Sequence, residues 1–294
     1  MFPVPVQPQF PPGQSTTTTS YLRYEDITQD GRLIPVAAPS ALAGLWREVL
    51  VDHPGARNAI QQGIIPILTR LTLNTVDTSI RVDRPVECRP GFALAHERQN
   101  GEVSRIFMNV WCEIRGVAGR LGRNASAGEL TLAGLVFAEH TFTRLLAPPD
   151  QRKVTRLGVE GYPDVPETVY TAPAPTTAAE PPDGAHWLDE LAPDPAEYVF
   201  TLDQTDSNQH VNSLVYVRLF HDAINRRLAA AGQPLLKVRS RAVDIAYRKP
   251  CFAGDKVRAQ LRLFQHDGGL GAAGFVEGAT DGKPRCYVRV LLGT

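Results

Sequence analysis

A chain of 294 residues is long enough for two domains of about 100–150 residues, each able to bury a real core. Its 31 basic and 31 acidic side chains are interspersed, without a basic tail or one-signed run, which excludes an electrostatic nucleic-acid binder. No apolar run approaches the roughly 20 residues that span a bilayer. The four cysteines have no Cys-x-x-Cys spacing, which argues against a disulfide frame or zinc site and for reduced thiols in the cytoplasm.

Residues 1–19 form a proline-rich arm lacking the basic and apolar regions of a secretory signal. The arm is expected to be disordered or laid on the surface. An N-terminal half, 20–146, follows. It begins with a strand over Tyr21–Ile27. A helix then runs over Ser40–Leu50 with Ser40 as its cap, and Leu42, Leu45, Trp46, Val49 and Leu50 are its apolar set. Strands are predicted over Leu71–Val82, Phe92–Arg98, Ser104–Arg115 and Glu129–Thr143. Residues 147–195 hold ten of the 24 prolines and read as a semi-extended linker. A short docking helix is expected inside it at Trp187–Leu191.

The C-terminal half, 196–294, repeats the order. A strand over Glu197–Leu202 precedes a helix with apolar positions Leu214, Val217, Phe220, Ile224 and Leu228. Asn212 or Ser213 suits the N-cap and Gly232 the stop. Strands follow over Val238–Tyr247, Lys256–Phe264, Ala272–Gly278 and Arg285–Leu292. Ile80-Arg-Val-Asp-Arg-Pro85 aligns with Ile245-Ala-Tyr-Arg-Lys-Pro250, a sign of duplication. One helix followed by antiparallel strands suggests a sheet wrapped around that helix. Two such units can join edge to edge.

The loop before the second helix gathers the chemistry. Asp206, Asn208, His210 and Asn212 fall at every second position, so on an extended segment 206, 208 and 210 share one side. The first N–H groups of a helix carry partial positive charge and stabilise a developing oxyanion. Asp206 can serve there as a base to water or as a nucleophile, or it can be an Asx-turn residue. Asn208 and His210 can orient water or bond a substrate carbonyl. Asn212 is also a natural cap. Cys251 is either a small buried apolar group or a site residue. His53, His96, His140, His186 and His266 show no ligand spacing, so no metal is expected. His221 reads as helix surface or core edge. Gly268-Gly-Leu-Gly-Ala reads as a hairpin turn rather than a phosphate loop.

The stretch Asp206-x-Asn208-x-His210-Val211-Asn212, with Tyr216 four residues on, resembles the motif of plant and bacterial acyl-ACP thioesterases of the hotdog fold. It is also similar to the Asp-x-x-x-His-Val-Asn stretch of the 4-hydroxybenzoyl-CoA thioesterase superfamily. A second block, Ala246-Tyr-Arg-Lys-Pro-Cys251 followed by Gly254-Asp255-Lys-Val257, resembles the segment that supplies a Glu and a Cys to those sites. Cys251 matches, whereas Pro250 stands where Glu is expected. In the N-terminal half the equivalent loop, Asp26–Leu33, has no Asn-x-His.

The resemblance implies an α+β double hotdog, two antiparallel sheets each wrapped around a long helix, with the chemistry in the second unit and the acyl chain buried by the first. It implies catalytic Asp206, Asn208, His210 and Cys251, with Asn212, Ser213 and Tyr216 on the substrate side. It implies hydrolysis of an acyl carrier protein or coenzyme A thioester in fatty acid or polyketide metabolism. No cofactor is called for, and a homodimer is left open. Two other readings remain. Asp206-Ser-Asn-Gln-His210 fits the Asp-x-x-x-His of polyketide-type double-hotdog dehydratases, but His53-Pro-Gly-Ala-Arg57 lacks the partner motif's glycine spacing, and the Asn-Pro and longer spacing of MaoC-like hydratases are not met either. The departure at Pro250 also admits an acyltransferase or a non-catalytic acyl binder.

Overall fold

A computed structural model of the chain describes residues 1–120 and 128–293. Its strands are β1 (Thr18–Ser20), β2 (Ile64–Thr75), β3 (Val86–Gln99), β4 (Glu102–Val117), β5 (Leu130–Arg144), β6 (His186–Trp187), β7 (Ala192–Val199), β8 (Arg239–Tyr247), β9 (Lys256–His266), β10 (Gly269–Gly278) and β11 (Pro284–Gly293). The α-helices are α1 (Pro54–Gln61) and α2 (Ser213–Ala230). Rather than two separate sheets, the strands of the described residues form one continuous sheet, as an edge-to-edge joining of two units allows, in the order β1-β3-β4-β5-β2-β8-β11-β10-β9-β6, with β7 also on β9. All its pairings are antiparallel.

The two halves meet where β2 pairs β8, Leu71 opposite Ile245 and Thr72 opposite Asp244. Side chains alternate across a strand. Leu71, Leu73, Val243 and Ile245 therefore join the core, while Arg70, Thr72 and Asp244 share the other face. On that face the Asp244 carboxylate, 1% exposed, accepts from Arg70 Nε at 2.8 Å, Thr72 Oγ1 at 3.1 Å and Arg289 Nε at 3.0 Å.

Each half carries a different kind of cover. α2 follows the expected apolar stripe: Val217, Phe220, Ile224 and Leu228 are buried. The expected Ser40–Leu50 helix is not regular. Pro35–Leu42 is a 3-10 helix with Pro39 inside it, and Leu45–Leu50 is a π-helix. Proline supplies no N–H, which suits Pro39 to the 3-10 segment, but Pro39 precedes the expected range and does not account for the π-helix after it. Ser40 is no cap; its hydroxyl donates to the Ala37 carbonyl at 2.8 Å. Leu42, Leu45, Val49 and Leu50 are nevertheless core residues.

Several other boundaries differ. Tyr21–Ile27 is no strand; Tyr24–Asp26 is a 3-10 turn in which Arg23 and Asp26 bond reciprocally. β2 starts earlier than expected and stops at Thr75, so Ile80 lies beyond it in an isolated bridge to Ala118, whereas Ile245 is inside β8. The two aligned hexapeptides are thus not structural equivalents. β7 begins within the predicted linker, and Leu202–Gln204 is a 3-10 turn. Trp187 belongs to β6 rather than a helix. It pairs with Phe264, and the Arg262 guanidinium lies 3.9 Å over its ring.

The arm is packed rather than loose. Phe2 is buried, and Asn74 bonds its N–H and its carbonyl, each at 2.9 Å. Trp111 Nε1–H donates to the Pro5 carbonyl at 3.0 Å. Phe10 crosses β3 at Gly91, where a Cβ would lie 2.4 Å from its ring, so only glycine admits the crossing. The linker is packed too: Ala178 is buried and Thr177 accepts from Arg70 Nη1 at 3.1 Å.

Candidate active site

The loop between β7 and α2 is closed on itself. The Asp206 N–H donates to the His210 carbonyl at 2.8 Å, and the Gln209 N–H donates to the Asp206 carbonyl at 2.9 Å. Gln209 takes φ 66°, an observed left-handed position of the kind found at functional sites. The segment is therefore a turn rather than an extended strand, and 206, 208 and 210 do not share a side through strand alternation. Asp206 is exposed, and its Oδ1 accepts the Asn208 N–H at 2.8 Å. This is the Asx turn weighed above, and it uses one carboxylate oxygen only. The Asn208 side chain is exposed and His210 is half-buried.

Asn212 caps α2: its Oδ1 accepts the Leu214 N–H at 3.0 Å, and its carbonyl accepts the Val215 N–H at 3.0 Å. Two of the first amides are thus taken by the cap. The Ser213 N–H, the first of α2, has no acceptor among the described residues.

A second segment is fastened to this loop. The Val211 N–H donates to the Cys251 carbonyl at 2.8 Å, and the Cys251 N–H donates to Tyr216 Oη at 3.1 Å. Tyr247 Oη donates to the Ser213 carbonyl at 3.1 Å. The Cys251–Asp255 turn is braced by Phe252 N–H to Asp255 Oδ2 at 3.0 Å and Gly254 N–H to the Phe200 carbonyl at 2.8 Å. The Phe252 ring then stands against the His210 imidazole, centroids 5.3 Å apart at 70°.

The structure thus brings the two motif blocks together, but not all side chains reach the same space. Tyr216 and Cys251 are buried. Burial pushes the Cys251 thiol up, opposed by the Tyr216 hydroxyl and the Arg285 guanidinium beside it. Burial likewise pushes the Tyr216 and Tyr247 hydroxyls up. A thiol so enclosed is a poor thiolate nucleophile. Phe252 and Arg285 are additions that motif reading misses. Phe252 adjoins Cys251, so an aromatic in an otherwise polar turn is the available signal. Arg285 has none, because the pairing of β11 with β8 brings it there. All four cysteines are free and buried. Among the described residues no group of three or more His, Cys, Asp or Glu side chains could hold a metal ion. No described helix is long and apolar enough to cross a membrane.

Comparison with solved structures gives the fold its relatives. A Lactobacillus plantarum protein provisionally assigned as an oleoyl thioesterase superposes with TM-score 0.65 at 16% identity, covering 95% of this chain and 96% of its own. An acyl-ACP thioesterase from Bacteroides thetaiotaomicron gives TM-score 0.57 at 15% identity, over 95% and 98%. The 12:0-ACP thioesterase from Umbellularia californica gives 0.56 at 13% identity, over 95% and 97%. The chain shares their fold. Nearly the whole length is matched in each case, so both halves are included, with the hotdog architecture expected from the second. No protein-family profile matches the chain, and no curated protein matches it in sequence.

Proposed function

We propose that this chain hydrolyses the thioester of an acyl group carried on acyl carrier protein or coenzyme A. The observation that carries the reading is the junction of the Asp206–Asn212 loop with the Cys251 turn at the start of α2, in a fold shared with thioesterases. In this reading residues 20–146 and 196–294 are two hotdog units, 147–195 the linker and 1–19 the arm. The first unit buries the acyl chain and the second performs the chemistry, in the cytoplasm.

The substrate carbonyl sits at the first turn of α2, where the Ser213 N–H and the helix end stabilise the oxyanion. The Asx turn engages Asp206 Oδ1 and leaves Oδ2 to take a proton from water. The water oxygen bonds to the carbonyl carbon, the carbon–sulfur bond then breaks, and the thiolate leaves with a proton from solvent or His210. The products are a free acid and a free thiol. Asn208 and His210 orient the water and the carbonyl. Asn212 acts through the cap, and Tyr216 and Cys251 act by holding the loop in place, the thiol itself forming no covalent bond to the acyl group.

The experiment follows free thiol and free acid while the protein is offered panels of acyl-ACP and acyl-CoA. Release of both in equal amounts is the expected result. A changed acyl chain with an intact thioester would instead assign a hydratase or dehydratase, and binding without turnover an acyl binder. The same panels decide carrier and chain length.

A further inference from the structure

We infer that Phe252 is a positioning residue, fixing the imidazole of His210 in its working orientation; this rests on the hydrolase reading above. The His210 ring has no hydrogen-bond partner among the described residues, whereas Asp206 and Asn212 each have one. The imidazole stands against the Phe252 ring, at 5.3 Å and 70°. That edge-to-face arrangement is the one aromatic quadrupoles favour. Phe252 is also out of place as a mere core residue: it is 47% exposed at the tip of a turn.

The turn beneath it is rigid. Both ends of Phe252 are tied to Asp255, its N–H to Oδ2 at 3.0 Å and its carbonyl to the Asp255 N–H at 3.1 Å. Phe200, itself buried, bonds both Asp255 and Gly254 through its backbone. The Val211–Cys251 bond fastens His210's own loop to the residue preceding Phe252. An exposed aromatic on a braced turn, standing against an imidazole without a hydrogen-bond partner among the described residues, is placed to hold that imidazole. An ordering contact of this kind lowers the number of ring orientations the reaction must wait for.

The test uses the full-length chain with Phe252→Ala, Phe252→Leu and Phe252→Tyr. Leu keeps bulk without a ring, and Tyr keeps the ring. Two measurements are made, steady-state kinetics on the best thioester of the panel and the proton shifts of the His210 ring, assigned against His210→Ala. Ala and Leu are expected to lower kcat by about 10- to 100-fold with KM nearly unchanged, and Tyr to retain kcat. The His210 shifts should move in Ala and Leu, where the ring current is lost, and stay in Tyr. Unmoved shifts in Ala and Leu would overturn the inference, as would a loss carried by KM alone or a Leu variant as active as wild type. Should no thioester be turned over by the wild type, the hydrolase reading falls, while the shifts still decide whether Phe252 holds the imidazole.

Discussion

The hydroxyl of Tyr216 accepts the backbone N–H of Cys251 at 3.1 Å, tying α2 to the turn that carries Phe252. Both residues are buried, so this amide has no water to turn to. Tyr216→Phe removes the acceptor and leaves a buried donor unpaired, which costs about 1–3 kcal/mol. Urea unfolding should show that loss. Turnover should fall less than in the loop variants below. A variant as stable as wild type would mean that the turn does not lean on this bond.

Asp206→Asn and His210→Ala are each expected to lower turnover by at least about 10²-fold with the fold intact, as acid–base and orienting groups typically do. Asp206→Asn keeps an oxygen able to accept the Asn208 N–H, so the Asx turn survives and only the proton acceptor is lost. Circular dichroism should match wild type. Well-folded variants that keep most of their activity would remove these residues from the mechanism.

How far this arrangement could be read in the sequence depends on the range of the interactions. The cap Asn212, the stripe on α2 and the strands of the C-terminal half are legible because period and capping act within a few residues. The Asp206 turn is harder: alternation suggests an extended segment, but the Asx bond and a left-handed Gln209 close it instead. The irregular helix of the N-terminal half is not legible, because Pro35 and Pro39 precede Ser40 and the apolar spacing after it is that of an ordinary α-helix. An edge-to-edge joining of the halves could be anticipated from their unpaired sheet edges, but the choice of β2 and β8 as the joining strands, and the burial of Phe2, are invisible locally, since each depends on partners in distant parts of the chain. So does the approach of Arg285 to Cys251.

The seam between the halves offers a sharper test. Asp244 lies between Arg70 and Arg289, both guanidinium groups little exposed. Asp244→Ala strands the buried Arg70 and the little-exposed Arg289 and should destabilise the whole chain by about 3–5 kcal/mol. Because β2 and β8 belong to different halves, both should unfold in one transition at a lower urea midpoint. Loss of the C-terminal half alone would show that the seam does not couple them.

The last prediction concerns acid. His140, inside the N-terminal half with Nδ1 facing the Met108 carbonyl at 3.3 Å, is held at about 4 by burial. His221 on α2, whose Nε2 is enclosed without a hydrogen-bond partner among the described residues, is likewise held at about 4 by burial. Both are neutral in the folded chain near pH 7. In the unfolded chain each returns to roughly 6.5 and binds a proton that the folded chain refuses. The unfolded state therefore gains protons first as pH falls, and stability drops from pH 6.5 toward 4, by about 2 kcal/mol for each histidine at pH 5. Above pH 6.5 this contribution is fully present and the curve should be flat in these groups. Urea unfolding at pH 7.5 and pH 5 measures the drop, and His140→Leu and His221→Leu should each remove about half of the part they share. Asp281, held at about 2 by the Lys283 N–H and by Arg285, titrates below the window and leaves it to the imidazoles. If the two variants lose stability in parallel with wild type across this range, the buried rings are protonated without penalty and the acid sensitivity lies elsewhere.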